Sequence, residues 1–570
     1  MKLLLLLLAV LPVALSAPAA QPVRRATAPT VAIPSPSATI IGSVGTTVES
    51  FMGIPFAQPP VSSLRLKPPQ SLTTALGTVY ATGVPAACPQ MFFDDASTSV
   101  PTALLGTILD LPLFQTITDA SEDCLTVNVQ RPIETTAESN LPVLFWIFGG
   151  GFELGSTLMY DGANFVQDSI TDGQPIVFVA VNYRVGGFGF MPGAEILADG
   201  SSNLGLLDQR LGLQWVQDNI ASFGGDPTKV TIWGESAGAI SVLDQMAMYD
   251  GDITYNGAPL FRGAIMDSGS IVPADPVDCP KGQVVFDQVV ATAGCTSATD
   301  KLECLRALDY TDFLDATNSV PGLLSYNSIA LSYLPRPDGT VLTESPDILI
   351  SSGKYAAVPF IIGDQEDEGT IFALFQENIT DTAELVTYLQ TYFFNDATTA
   401  EIEALVATYP DDASDGSPFN TSILYELYPE FKRLAAILGD LTFTLTRRIF
   451  LSVHTSLNPS VPAWSYLSSY DYGTPYLGTF HGSDLLQVFY GILPNYASAA
   501  VHRYYFNFVY NLNPNDDTGA TESVSVMSWP QWSVGEQVMQ IWASYADLLD
   551  DDFRATSYDW LVGNAGSLRI

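Results

Sequence analysis

The chain has 570 residues, 47% of them hydrophobic and 11% aromatic, which is enough for a large buried core and excludes a disordered chain or a small disulfide-held module. Lys and Arg total 22 against 61 Asp and Glu, a formal net charge of −39. With no basic run to offset it, this field excludes nucleic acid and anionic membrane surfaces as partners.

At the amino terminus Met1-Lys2 precedes an apolar run, Leu3 to Leu11, and the small-residue segment Pro12 to Pro18, the layout of a secretory signal. That run is too short to span a bilayer, and no stretch of about twenty apolar residues follows it. A signal peptide over 1–17, secretion to the extracellular medium and no transmembrane segment are therefore expected. Arg24-Arg25 is a candidate for a second, dibasic processing point, and Pro, Ser, Thr and Ala dominate from Thr27 to about Ala38. Residues 18–38 are accordingly expected to be a propeptide or an irregular lead-in. The remainder, 39–570, has no long linker, low-complexity block or repeat, and reads as one domain.

The stretch from Ala86 to Ser121 has acidic ends and an apolar middle, Ala103 to Phe114. It suits either a core helix fragment or, lying between Cys88 and Cys124, a clipped lid over an apolar site. Short runs rich in β-branched and aromatic residues then stand before glycine or polar turns: Val143 to Phe148, Ile176 to Tyr183, Val230 to Trp233, Gly263 to Met266, Val358 to Ile362 and Ala463 to Leu467. They predict central strands, with helices over Leu207 to Ile220 and Phe431 to Leu451. The expected architecture is α/β, an open and mostly parallel sheet with helices on both faces and its chemistry at the strand ends.

Gly234-Glu235-Ser236-Ala237-Gly238 follows the strand-like Lys229 to Trp233 and precedes the helical Ala239 to Leu243. Strand, turn and helix in that order make this G-x-S-x-G a nucleophile elbow rather than an ordinary glycine-flanked serine. Phe148-Gly149-Gly150-Gly151-Phe152 also follows a strand. The amides of Gly150 and Gly151, with that of Ala237, are expected to form a three-donor oxyanion hole. Of the three histidines, His454 ends an amphipathic helix and His502 sits among tyrosines and phenylalanines, so both read as structural. His481 lies in a glycine-bracketed loop, Gly478 to Gly482, and is the candidate general base. An acid to orient it clusters after the strand at Pro359 to Ile362, where Asp364, Glu366, Asp367 and Glu368 are equivalent candidates.

Five cysteines suit an oxidising compartment. Cys295 with Cys304 would close a short loop and Cys88 with Cys124 a longer one, leaving Cys279 over; spacing alone does not establish the pairing. Asn378-Ile379-Thr380 and Asn420-Thr421-Ser422 are glycosylation acceptors where exposed.

Beyond these residues, the sequence resembles the fungal lipase and carboxylesterase branch of the cholinesterase-related α/β-hydrolases, which includes Candida rugosa-type lipases and sterol esterases. The likeness runs from about Gly42 to near the carboxyl terminus. It is carried by Phe56-Ala57-Gln58-Pro59-Pro60, Glu122-Asp123-Cys124-Leu125, Trp146 to Phe152, Asn182-Tyr183-Arg184, Asn203 to Gln209, Phe223 to Pro227, the Ser236 elbow and Leu331 to Gly339. The resemblance implies one α/β-hydrolase catalytic domain over 39–570 with Ser236, Glu368 and His481 as catalytic residues and Gly150, Gly151 and Ala237 as oxyanion donors. It also implies disulfides Cys88–Cys124 and Cys295–Cys304, a mobile lid at about 88–124 inside the first, and a buried acyl-binding tunnel. Cys279 has no partner in that pattern. Glu235 is expected to act electrostatically on the imidazolium and not as a second nucleophile.

Hydrolysis of long-chain lipid esters at a lipid–water interface is the implied activity, with triacylglycerols first and sterol esters next, and with no metal or organic cofactor. The alternatives are a carboxylesterase of short soluble esters and a non-catalytic binding protein on the same scaffold. A monomer and a lid-mediated dimer are both compatible with the sequence.

Overall fold

The computed structural model describes residues 28–91, 120–492, 494–521 and 524–570. The expected signal peptide and the apolar middle of the expected lid, Ala103 to Phe114, lie outside the described residues. An 11-stranded mixed sheet organises the chain. Its strands in chain order are β1 (Ser43–Val44), β2 (Val48–Pro55), β3 (Thr126–Pro132), β4 (Leu141–Ile147), β5 (Val177–Val181), β6 (Gly225–Glu235), β7 (Gly263–Asp267), β8 (Phe360–Gln365), β9 (Ala463–Ser468), β10 (Gln537–Ile541) and β11 (Ala546–Asp550). Their spatial order is β11-β10-β9-β8-β7-β6-β4-β5-β3-β2-β1. The centre, from β10 to β5, is parallel throughout, and the antiparallel pairs lie toward the two edges.

This placement follows from composition. In β5 (VFVAV) and β7 (GAIMD) every residue is buried, as it must be in a strand covered on both faces. Trp146 in β4 and Trp233 in β6 are register partners whose rings meet edge-on, with centroids 4.4 Å apart. Each such aromatic removes upwards of 150 Å² from water, so the middle of the sheet cannot slip register without exposing them.

Helix α1 (Leu204–Asn219) starts near its predicted position. Helix α2 (Ala237–Gly251) leaves directly from the Ser236 turn. The run predicted as one helix from Phe431 to Leu451 is α3 (Phe431–Gly439) and α4 (Leu445–Leu457), joined through a wider π-type turn, Asp440–Thr444. Such turns insert a residue into the helical ladder and favour functional sites.

One expectation is corrected. The stretch to Ala38, expected to be irregular, contains strand Thr30–Pro34 paired antiparallel with Ser37–Ile41. Val31 and Ile33 alternate inward there and are buried, a period-two pattern obscured by the surrounding Pro, Ser and Thr. Ser35 fixes this ribbon to the end of α1, its amide donating to Asn219 Oδ1 at 3.0 Å.

Disulfides join Cys88 to Cys124 and Cys295 to Cys304. Beside the first, Ala87 bridges Ala120, and the Ser121 amide donates to the Ala87 carbonyl at 2.9 Å. Arg65 ties the two clipped regions together, bidentate to Glu122 at 2.6 and 2.8 Å and donating to the carbonyls of Leu305 and Leu308. Cys279 is a buried free thiol whose Sγ accepts from the Gly282 amide at the start of a helix. Asn378 and Asn420 are both exposed. No helix among the described residues is long and apolar enough to cross a membrane.

Candidate active site

Ser236 terminates β6 in a backbone conformation, φ 57° and ψ −126°, that a side chain rarely adopts; such strain costs on the order of 1–3 kcal/mol and persists only when the surroundings impose it. The flanking glycines do so. A Cβ on Gly234 would lie 2.3 Å from the Gly238 backbone, and one on Gly238 would lie 2.1 Å from the Ile147 carbonyl oxygen. The chain therefore reverses tightly enough to project Ser236 off the sheet, while the Ser236 amide donates to the Asp267 carbonyl at the end of β7 at 2.9 Å.

His481 Nε2 lies 2.8 Å from Ser236 Oγ, and His481 Nδ1 lies 2.5 Å from Glu368 Oε2. The carboxylate holds the Nδ1 proton and leaves Nε2 facing the serine as an acceptor. The second oxygen of Glu368 accepts the Gln365 amide at 2.7 Å, which fixes the carboxylate plane. Phe372 and Phe443 enclose the imidazole, with centroids 5.0 and 4.5 Å away.

The four acidic residues that the sequence leaves equivalent have distinct partners. Asp364 accepts from Arg447 at 2.7 Å. Glu366 accepts from Asn420. Asp367 fastens three segments together: its Oδ1 accepts from Ser417 Oγ and the Phe419 amide, and its Oδ2 from the Thr479 amide, two residues before His481. Only Glu368 of the four faces His481. His454 is buried between the Tyr355 hydroxyl and the Val461 carbonyl, and His502 meets the Val488 carbonyl and Asp168, so neither approaches Ser236.

Glu235 is fully buried and its Oε1 lies 3.5 Å from His481 Nε2. Burial first, then the charges of Asp484, Glu368 and Asp267, push its carboxyl well above the usual range. Asp484 is pushed up in the same way by burial and by Asp267 and Glu368. Burial raises Asp267 to about 6 against the opposing hydrogen bonds of Tyr505, Trp233 and Tyr466. Burial among other carboxyl groups thus favours the protonated form of both Glu235 and Asp484. The role of Asp484 is not legible in sequence; its position three residues after His481 is the only signal that points to it.

A narrow, largely apolar pocket opens at Ser236. Gly150, Gly151, Ala237 and His481 border it beside the serine, and Leu323, Leu331, Leu334, Ile240, Phe443 and Ile570 supply apolar wall. The left-handed backbone of Gly150 (φ 112°), Gly151 (φ 61°) and even Phe152 (φ 59°) curls the loop after β4 around this cavity. Amides and apolar wall in one concavity suit an ester carbonyl with a hydrocarbon tail.

Comparison with known proteins agrees with this arrangement. Residues 28–556 match the carboxylesterase family. The chain is 65% identical over 547 residues to secreted lipase 1 of Botryotinia fuckeliana, covering 96% of this chain and 95% of that protein. It is 60% identical over 563 residues to the secreted triacylglycerol lipase LIP1 of Gibberella zeae, covering 98% and 94% respectively. The crystal structure of Aspergillus niger EstA superposes with a TM-score of 0.79 at 26% identity, over 95% of this chain and 99% of that one. The protein belongs to the carboxylesterase family of α/β-hydrolases, in its fungal lipase branch.

Proposed function

We propose that the protein is a secreted serine hydrolase that cleaves long-chain lipid esters, triacylglycerols first, at a lipid–water interface. The observation that carries this reading is the hydrogen-bonded series from Glu368 through His481 to Ser236 on the wall of an apolar cavity. Relatives named as secreted and as triacylglycerol lipases, at 65% and 60% identity, support the compartment and the substrate class. Residues 1–17 are the secretion signal in this reading, and Asn378 and Asn420 carry glycans.

In the mechanism, Ser236 Oγ attacks the ester carbonyl carbon as its proton passes to His481 Nε2. Charge gathers on the carbonyl oxygen, which turns toward the amides of Gly150, Gly151 and Ala237. Collapse of the tetrahedral species breaks the bond to the alkoxy group, which takes the proton from Nε2 and leaves as the alcohol. Water then attacks the acyl-serine by the same route, and the carboxylic acid departs. Glu368 keeps the imidazole oriented and stabilises its charged form. Glu235, its carboxyl pushed up by burial and 3.5 Å from Nε2, acts electrostatically on that charge and not as a second nucleophile.

The test measures hydrolysis of esters of increasing acyl length, below and above the concentration at which they form an emulsion. Rates that climb with chain length and jump on emulsification, both lost in S236A, are expected. Highest rates on short soluble esters with no jump would overturn the lipid-ester assignment, and turnover at the parent rate in S236A would overturn the mechanism.

A further inference from the structure

Glu153, the second residue after the glycine run, is fully buried although the mechanism does not use its carboxylate. Its backbone closes the turn that carries the oxyanion amides, its amide donating to the Gly150 carbonyl at 3.1 Å, and its carbonyl accepts the Met91 amide at 2.9 Å. The side chain reaches across to a different segment, where Oε2 accepts the Leu323 amide at 2.7 Å. Leu323 in turn presents its methyl groups to Gly151: a Cβ built there would meet Leu323 Cδ2 at 3.0 Å. Both Leu323 and Gly151 line the cavity at Ser236.

From this geometry we infer that Glu153 is a positioning residue that locks the acyl-contacting wall at Leu323 to the loop bearing the Gly150 and Gly151 amides, so that acyl binding and oxyanion binding share one geometry. The inference rests on the proposed esterase mechanism and adds to it a residue that touches no substrate atom. A bridging side chain here needs an acceptor for the Leu323 amide, and it must tolerate complete burial. Burial raises the Glu153 carboxyl to about 8, so at neutral pH it is chiefly the neutral acid, a group whose shape and acceptor oxygen glutamine copies. Alanine leaves the amide without its acceptor and the wall free to move away from Gly151.

The test compares E153Q and E153A with the parent enzyme, using kcat and KM on short- and long-chain soluble esters. Rates are expressed per active site titrated with a small phosphonate, so that misfolded protein does not count. E153A is expected to lose tenfold or more in kcat per titrated site on every ester, with KM rising more for the long chains, while E153Q stays within threefold. A purely structural residue would lower the number of titratable sites and the Tm but leave kcat per site and the chain-length ratio alone; that result in E153A would overturn the inference, as would equal kinetic loss in E153Q. Where E153A is not secreted, E153D, one methylene too short to reach the Leu323 amide, replaces it under the same criteria. Failure of the parent enzyme itself to titrate with phosphonate would instead strike at the mechanism.

Discussion

Asp364 in β8 and Asp551 just after β11, both buried, meet arginine side chains, whereas the buried Glu235, next to Ser236 in the chain, and the buried Asp484, three residues after His481, have no such cation near them among the described residues. Arg447 reaches Asp551 at 2.7 and 2.8 Å and Asp364 at 2.7 Å, and Arg448 adds a further bond to Asp551. With two guanidinium groups and the Trp532 indole on it, Asp551 is pulled down to about 2 despite its burial. Asp364 is raised by burial to about 7, the one guanidinium of Arg447 pulling it down and the charge of Glu368 pushing it up. Neither Glu235 oxygen accepts a hydrogen bond. The paired set holds β8, β9 and the carboxy-terminal segment in fixed relation. The unpaired set leaves the ground state poorly served, which suits a place where, in the proposed mechanism, a positive charge appears on His481 only during the reaction.

The contrast is open to attack at several points. E368Q removes the carboxylate on which the imidazolium depends while keeping the shape. It should lower kcat by about 10⁴-fold, with Tm little changed, in steady-state assays beside thermal denaturation. A loss under tenfold would mean that Glu368 is not the orienting acid. R447A, on the paired side, strands Asp364 in the interior and leaves Asp551 to Arg448 and Trp532, and should cost about 3–5 kcal/mol of stability by chemical denaturation. Little cost there would erase the difference between the two sets.

Stability against pH sets the paired Asp551 against other buried acids of the core. Glu153 and Asp244 are raised by burial to about 8, and Asp367 to about 7. In the folded chain these groups keep protons that the unfolded chain has released above about pH 4.5. Their stabilising contribution is full below that pH and is lost as pH rises toward 8. Asp551 works the other way, and its contribution is lost only as pH falls from about 4 through 2. Tm should therefore be highest near pH 4–5 and fall by several degrees on the way to pH 8, in the same direction as the self-repulsion of a chain of net charge −39. A Tm that rises across that range would contradict the assignment of neutral buried acids.

The smallest effect is expected from E235Q. Glutamine mimics the neutral acid, so kcat should fall by no more than about tenfold, roughly 1.4 kcal/mol, while denaturation shows no loss of stability. A large destabilisation would show that Glu235 is ionised and paired in the folded state.

Much of the site is legible in the chain because its constraints are local. The Ser236 elbow, the glycine run and the His481 loop each need a strand, a sharp turn and small residues within a few positions, and each is written contiguously. The acid is different: the acidic residues follow one another, and what separates Glu368 from Asp367 is the bonding of Asp367 to Ser417, Phe419 and Thr479, far away in sequence. Only the family resemblance selects Glu368 in advance. The π-type turn at Asp440–Thr444 is hidden for a related reason, since it lies inside one continuous helical run and places Phe443 against His481, a contact across the chain. The amino-terminal ribbon was masked by its composition, and the reach of Glu153 to Leu323 spans 170 residues.

The central claim is that Ser236, activated by His481, is the nucleophile of an enzyme for long acyl chains. Labelling the secreted protein with a long-alkyl phosphonate, followed by intact mass and peptide mapping, tests it most directly. One adduct per chain on Ser236, formed faster than with a short-alkyl analogue and absent in S236A, is the predicted result. Hydrolytic activity that persists with Ser236 unmodified, or an adduct carried by another residue, would contradict it.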